Sequence, residues 1–253
     1  MIVFTILGIC IGSFLNVVIY RLPNDKSVVY PASFCPNCKT PLKWYDNIPV
    51  VSYALLMGKC RYCKENISPV YPLVELLNGI MYFLIYTASS GLMQALPTAL
   101  LFSALLAVFI IDIKYMVIPN ELVIFILILG ITSVILKRQD LIEALWGFLA
   151  GGGVLYVLAV VSQKLLKKPG MGGGDIKLMG ACGLLLGIMN TFLALFLASV
   201  LTLLFLASTG RINKMNLKKV VPFGPALSLS VFVCYLFGDN IISWYFSLIG
   251  MNS

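Results

Sequence analysis

The chain has 253 residues, 60% of them hydrophobic and 11% charged, with a mean hydropathy of +0.98. A soluble globular domain does not reach that balance, so the composition specifies a polytopic membrane protein. The net charge of +8 does not imply nucleic-acid binding, because the basic residues are scattered between the apolar runs, as topology signals are.

The run MIVFTILGICIGSFLNVVIY (Met1 to Tyr20) is long enough to span and carries no basic stretch before it. It is expected to stay as a first transmembrane helix over 1–20 and not to be cleaved as a signal peptide. The polar segment 21–69 follows and is expected to be a small cytoplasmic domain. It contains CPNC (Cys35, Cys38) and CRYC (Cys60, Cys63), two C-x-x-C pairs separated by a spacer one residue longer than usual for structural zinc. Thiols facing a reducing cytoplasm remain available to metal. Four thiolates close the coordination sphere, so zinc is read as structural, folding a segment too small and polar to fold alone. The competing reading is a thiol redox pair, as in a membrane disulfide carrier, but that chemistry belongs on the oxidising face.

The remainder, 70–253, is read as a seven-helix membrane domain, with spans near 70–90, 96–113, 118–136, 141–163 and 224–249. The uncharged run Leu178 to Thr209 is roughly 48 Å long at about 1.5 Å per residue, too long for one ordinary span and too short for two. The positive-inside rule arbitrates. With a tight hairpin near Gly187 to Asn190 and the N-terminus outside, the inner loops collect Arg21, Lys26, Lys39, Lys43, Lys59, Arg61, Lys64, Lys114, Lys164, Lys167, Lys168, Lys177, Arg211, Lys214, Lys218 and Lys219. Only Lys137 and Arg138 fall outside. The expected architecture is therefore all-α, with about eight transmembrane helices, the sixth of them short, and a four-cysteine zinc-binding domain between the first and second. A short helix implies local thinning of the bilayer or a partly open cavity beside it. Gly151, Gly152 and Gly153 are read as close helix-packing residues, and Cys10, Cys182 and Cys234 as core residues.

This topology puts Asp112 and Asp175 at one cytoplasmic boundary. Either alone reads as an interfacial charge beside Lys114 or Lys177, but two at one depth point to a pair. Two carboxylates within a few ångströms in a partly desolvated site cannot both ionise cheaply, so they share a proton. One then draws a proton from attacking water while the other donates to the carbonyl oxygen, the chemistry of aspartic proteases. The sequence contains no histidine, which excludes Ser/His and Cys/His hydrolysis and histidine-ligated zinc catalysis. Gly172, Gly173 and Gly174 before Asp175 could offer an edge for an unwound peptide substrate, or merely connect two helices. In PFGPAL, Pro222 and Pro225 prevent regular helix, so the last span either begins with a bent entry beside Asp175 or simply starts there.

GSFLNVVIYRLP (Gly12 to Pro23), the two C-x-x-C pairs, YPLVELLNG (Tyr71 to Gly79), DIKYMVIPN (Asp112 to Asn120), GGGDIKLMG (Gly172 to Gly180) and PFGPAL (Pro222 to Leu227) together resemble the bacterial type IV prepilin peptidases, in order along almost the whole chain. Those are intramembrane aspartic proteases of the G-x-G-D class. The resemblance implies that Asp112 and Asp175 are catalytic, with Gly172 and Gly174 on the glycines of G-x-G-D. It also implies cleavage of the basic leader from prepilins or pseudopilins at the cytoplasmic face of the bacterial inner membrane. Members with the cysteine-bearing loop are credited with a second step, N-methylation by S-adenosylmethionine, although the glycine-rich Rossmann fingerprint is absent. Candidate substrate-binding residues are Gly172, Gly173, Gly174, Lys177, Pro222, Phe223, Gly224 and Pro225. Glu75 is the candidate for the methyl donor, or else a polar residue at a helix boundary. The expected partners are prepilins with an apolar N-terminal helix and membrane lipids. The rival from another class is an ion- or proton-coupled transporter using Asp112 and Asp175, which would place them near the bilayer midplane.

Overall fold

A computed structural model describes residues 1–166, 171–208 and 221–250. Of the basic residues counted above, Lys167, Lys168, Arg211, Lys214, Lys218 and Lys219 lie outside the described residues. The helices are α1 (Ile2–Arg21), a short α2 (Val51–Leu55), α3 (Val70–Ala88), α4 (Leu92–Tyr115), α5 (Asn120–Ile135), α6 (Leu141–Leu166), α7 (Gly173–Ser208) and α8 (Gly224–Leu248). Among the described residues there are no strands, only two isolated bridges. Six helices are long and apolar enough to cross a membrane, and α5 is a shorter apolar one. The protein is an all-α integral membrane protein. Contacts divide the chain into two compact units, Met1–Ser103 and Ala104–Ser253.

In the first unit α1 packs on α3 through residues that keep little bulk between the backbones. A Cβ built on Gly12 would lie 2.7 Å from the Glu75 Cα, so glycine is what permits the approach, as at small-residue contacts between membrane helices. The polar groups so enclosed satisfy one another: Asn78 Nδ2 donates to the Gly8 carbonyl at 2.7 Å, and Ser103 Oγ donates to Asn78 Oδ1 at 2.9 Å. The Tyr82 hydroxyl joins Ser103 at 3.0 Å. Hydrocarbon supplies no competing partners, so such pairs fix helix orientation.

In the second unit α6 and α7 run antiparallel, since Gly151 meets the Met179 carbonyl, Gly147 meets Gly183 and Glu143 meets Gly187. The packing expected of the triple glycine holds for Gly151 and Gly152. It fails for Gly153, whose side faces open space. The long run to Ser208 is not one continuous helix: Gly187 has φ 71° and ψ 177°, outside helical geometry and cheap only for glycine. The interruption falls where the expected turn begins, and the segment from Gly173 to Leu186 is about 21 Å long at about 1.5 Å per residue, short for a span. Cys182 and Cys234 are core residues, but Cys10 is exposed on α1, because that helix is apolar all round and its sequence does not mark an inner face.

Candidate functional site

Asp112 lies in the last turns of α4 and is 6% exposed. Its Oδ2 accepts the backbone N–H of Gly224, the first residue of α8, at 2.9 Å. The first N–H groups of a helix lack intrahelical partners and favour negative charge, so a carboxylate is well matched there. The approach requires glycine: a Cβ on Gly224 would lie 2.7 Å from Oδ2 and 2.9 Å from Cγ. PFGPAL therefore reaches Asp112, where the sequence pointed to Asp175. Pro222 precedes the helix, Phe223 is its N-cap residue and Pro225 sits in its first turn, the position where a missing N–H costs nothing.

Asp175 is in the first turn of α7. Its Oδ2 lies 3.2 Å from where a Cβ on Gly172 would sit, and the Gly172 N–H and Asp112 both act electrostatically on the carboxylate. The two aspartates are thus near enough for each to feel the other's charge. Gly173 and Gly174 are the first residues of α7 and not an extended edge. Gly173 has open space on its Cβ side, whereas Gly174 is turned against Ile118, whose Cβ would be 3.0 Å from an added Cβ. Lys177 donates to Asn120 Oδ1 at 3.0 Å, which ties α7 to the start of α5. Neither aspartate forms an ion pair with a described residue. Ile118 and Asn120 were not marked by the sequence, since an apolar residue and an asparagine after a loop carry no signal for this contact.

The four cysteines meet in the first unit. Each C-x-x-C is folded the same way: Cys35 N–H donates to the Thr40 carbonyl at 3.0 Å and Lys39 N–H to the Cys35 carbonyl at 2.8 Å, matched by Cys60 to Glu65 at 2.8 Å and Lys64 to Cys60 at 3.1 Å. Lys39 and Lys64 both adopt positive φ, 57° and 60°, and the two isolated bridges, Phe34 with Pro41 and Lys59 with Asn66, close the loops. The sulfur atoms all lie within 4.8 Å of one another. Metal–sulfur bonds of about 2.3 Å in a tetrahedron put sulfurs about 3.8 Å apart, and Cys35 and Cys63 are 3.9 Å apart, so the cluster can hold a metal ion. The Thr40 hydroxyl and N–H bring the Cys38 thiol down to about 6, and the N–H groups of Cys63 and Tyr62 lower Cys60. At Cys35 the Cys38 N–H also lowers, but burial and the neighbouring sulfurs outweigh it and push the thiol up to about 11. Closely set thiolates repel, and a cation removes that penalty. Asp46 braces the second loop, pairing with Arg61 Nε at 2.7 Å and accepting the Lys43 N–H at 3.3 Å.

A cavity of about 580 Å³ opens in the same unit, lined by Ser13, Asn16, Arg21, Cys35, Asp46 and Glu75 among others. That is within the range of small-molecule sites. Glu75 is 8% exposed. Its Oε2 accepts the Val50 N–H at 2.7 Å, and Ser13 and Asn16 lie beside it in the cavity. Val50 has φ 61° and ψ −49°, and Val51 N–H reaches the Pro49 carbonyl at 2.6 Å. This is the rare, strained γ-turn, held by a β-branched residue where strain often marks function.

Two family descriptions match the chain in sequence: the Bacterial Peptidase A24 N-terminal domain over residues 6–89 and the Type IV leader peptidase family over residues 99–207. Curated relatives are called prepilin leader peptidase/N-methyltransferase. The one from Bacillus subtilis is 31% identical, covering 96% of each chain; that from Aeromonas salmonicida is 33% identical over 96% of this chain and 92% of its own; that from Neisseria gonorrhoeae is 33% identical over 95% and 92%. No solved structure matches the chain significantly. Nothing in these relatives supports the transporter alternative. With such identity along nearly its whole length, the chain belongs to the type IV leader peptidase family.

Proposed function

We propose that the chain is an intramembrane aspartic endopeptidase that removes the basic leader from type IV prepilins or pseudopilins, with Asp112 and Asp175 as its catalytic pair. The observation that carries this reading is that two aspartates from separate helices lie within Coulombic range of each other, Asp112 bonded by a backbone N–H and neither paired with a described cation. One carboxylate takes a proton from water as its oxygen attacks the scissile carbonyl carbon. The other gives its proton to the carbonyl oxygen, and collapse of the tetrahedral species expels the amine of the new pilin N-terminus. A helical substrate must be unwound before this attack. The free N–H groups of the first turn of α7 and the open side of Gly173 support docking of the unwound strand there. Gly174 is committed to Ile118, so its contribution is to packing. Pro222, Phe223, Gly224 and Pro225 form the wall on the Asp112 side, and Lys177 orients α7 through Asn120.

The second activity is methylation of the new amine by S-adenosylmethionine, held in the cavity beside Glu75. Bound there, the donor supplies an electrophilic methyl group, and Glu75 offers a carboxylate to the cationic centre and to the proton leaving the amine. The cysteines Cys35, Cys38, Cys60 and Cys63 hold zinc in a structural role, consistent with four sulfurs and no open position. The enzyme resides in the bacterial inner membrane with its N-terminus outside and both sites at the cytoplasmic side.

The test is cleavage of a prepilin in proteoliposomes by the parent, Asp112→Asn and Asp175→Asn. Loss of general acid–base catalysis lowers the rate by roughly 10²- to 10⁴-fold. Near-parent cleavage by either folded variant refutes the pair.

A further inference from the structure

We propose that Arg21 is the carboxylate anchor of the cavity in the first unit and holds the amino-acid end of S-adenosylmethionine. The inference rests on the methyl-donor reading of that cavity. Arg21 ends α1, lines the cavity with Glu75 and is 6% exposed. A guanidinium buried to that degree is ordinarily paired with an acid, because an uncompensated buried charge is costly. Among the described residues Arg21 has no carboxylate partner, whereas Arg61 in the same unit is paired with Asp46.

The groups that Arg21 does meet are neutral. Nη1 donates to the Ser27 carbonyl at 3.0 Å, and Nη2 to those of Pro31 at 2.7 Å and Ala32 at 3.4 Å. These carbonyls fix the plane of the fork without neutralising it. A guanidinium has five N–H donors, and these three bonds leave Nε–H and one Nη1 hydrogen for a ligand. Glu75, which also has no cation partner among the described residues, supplies the opposite charge in the same cavity. From Ser13, which lies beside Glu75, to Arg21 the rise along α1 is about 12 Å, so the two charges sit at different levels. That pattern suits an elongated ligand with a cationic centre at one point and a carboxylate at another. A ligand carrying only negative charge would be set against Glu75.

The experiment compares S-adenosylmethionine with decarboxylated S-adenosylmethionine by calorimetry on the full chain in lipid nanodiscs, using the parent, Arg21→Lys and Arg21→Gln, with metal content and thermal melting as checks of folding. In the parent, loss of the carboxylate is expected to weaken Kd roughly ten- to a hundredfold, the worth of a charge-assisted hydrogen bond. In Arg21→Gln the two ligands should bind within about twofold of each other, and Arg21→Lys should fall between. If Arg21→Gln does not fold, the parent's own ligand comparison still decides. Equal binding of both ligands by the parent overturns the anchor while leaving the methyl-donor reading standing. No binding of S-adenosylmethionine removes that reading, and the anchor with it.

Discussion

Replacing Gly224 with alanine puts a methyl carbon where the Asp112 carboxylate lies. The added atom would sit 2.7 Å from Oδ2, 2.9 Å from Cγ and 3.1 Å from Cβ, and real carbon atoms do not approach that closely. The far end of the crowding partner is a short aspartate, buried and held by the Gly224 N–H at 2.9 Å, so it cannot swing away and keep its bond. A shift on the order of 0.5 to 1 Å is needed to reach ordinary contact. Loss of that charge-assisted hydrogen bond costs about 1.5–3 kcal/mol, and misplacing a reacting group by about 1 Å costs on the order of 10²-fold in rate. Gly224→Ala should therefore cleave prepilin roughly 10²-fold more slowly in proteoliposomes, through kcat more than KM, with metal content unchanged. Gly153→Ala, where nothing lies within 4 Å, is the matched control and should cleave at the parent rate. A Gly224→Ala enzyme within about threefold of the parent would refute the placement of Asp112 against α8.

Gly173→Ala should leave the melting temperature alone, since its added carbon meets nothing within 4 Å, but raise KM for prepilin several-fold if substrate passes over α7's first turn; unchanged KM removes that docking path. Val50→Gly should stabilise the first unit by about 1 kcal/mol by relieving the γ-turn, read as a higher melting temperature with the Glu75 contact retained. Metal should be lost as pH falls. Cys35, pushed up to about 11, must shed its proton to bind, so apparent affinity drops about tenfold per pH unit for that proton across pH 8 to 6; a pH-independent affinity measured by competing chelator would contradict it. Stripping the metal should melt the first unit's cysteine loops, seen as new protease cleavage within 21–69.

The spans were legible because the membrane imposes a coarse length rule: 224–249 was expected and Gly224–Leu248 is helical. The interruption at Gly187 was legible because the run to Thr209 fits neither one span nor two, and glycine is the residue that takes φ 71°. The cysteine cluster was legible because C-x-x-C spacing fixes its own loop geometry. Contacts between helices were not. No residue pattern assigns the Gly224 N–H to Asp112, or turns Gly174 toward Ile118, since these depend on which helices become neighbours and at what depth. The outward face of Cys10 was hidden by an α1 that is apolar on every side, and the strained turn at Val50 by a sequence, Ile48 to Val51, that holds no glycine.

The buried carboxylates Asp46, Asp112 and Glu75 fall into two kinds according to what holds them. Asp46 is gripped by a cation, Arg61, at 2.7 Å, and braces a loop. Asp112 and Glu75 are instead held by main-chain N–H groups, those of Gly224 and Val50. An arginine partner would lock a carboxylate in its ionised form and occupy both oxygens. A single backbone donor fixes the direction of one oxygen and brings no net charge, leaving the other oxygen free to carry a proton or face a cation. In a membrane, where a fixed charge pair is costly and water scarce, that arrangement lets a carboxylate change protonation state without dismantling its support. It also explains why glycine recurs beside the aspartates: a backbone N–H can come within 2.9 Å of a carboxylate while the residue that bears it adds no carbon in between.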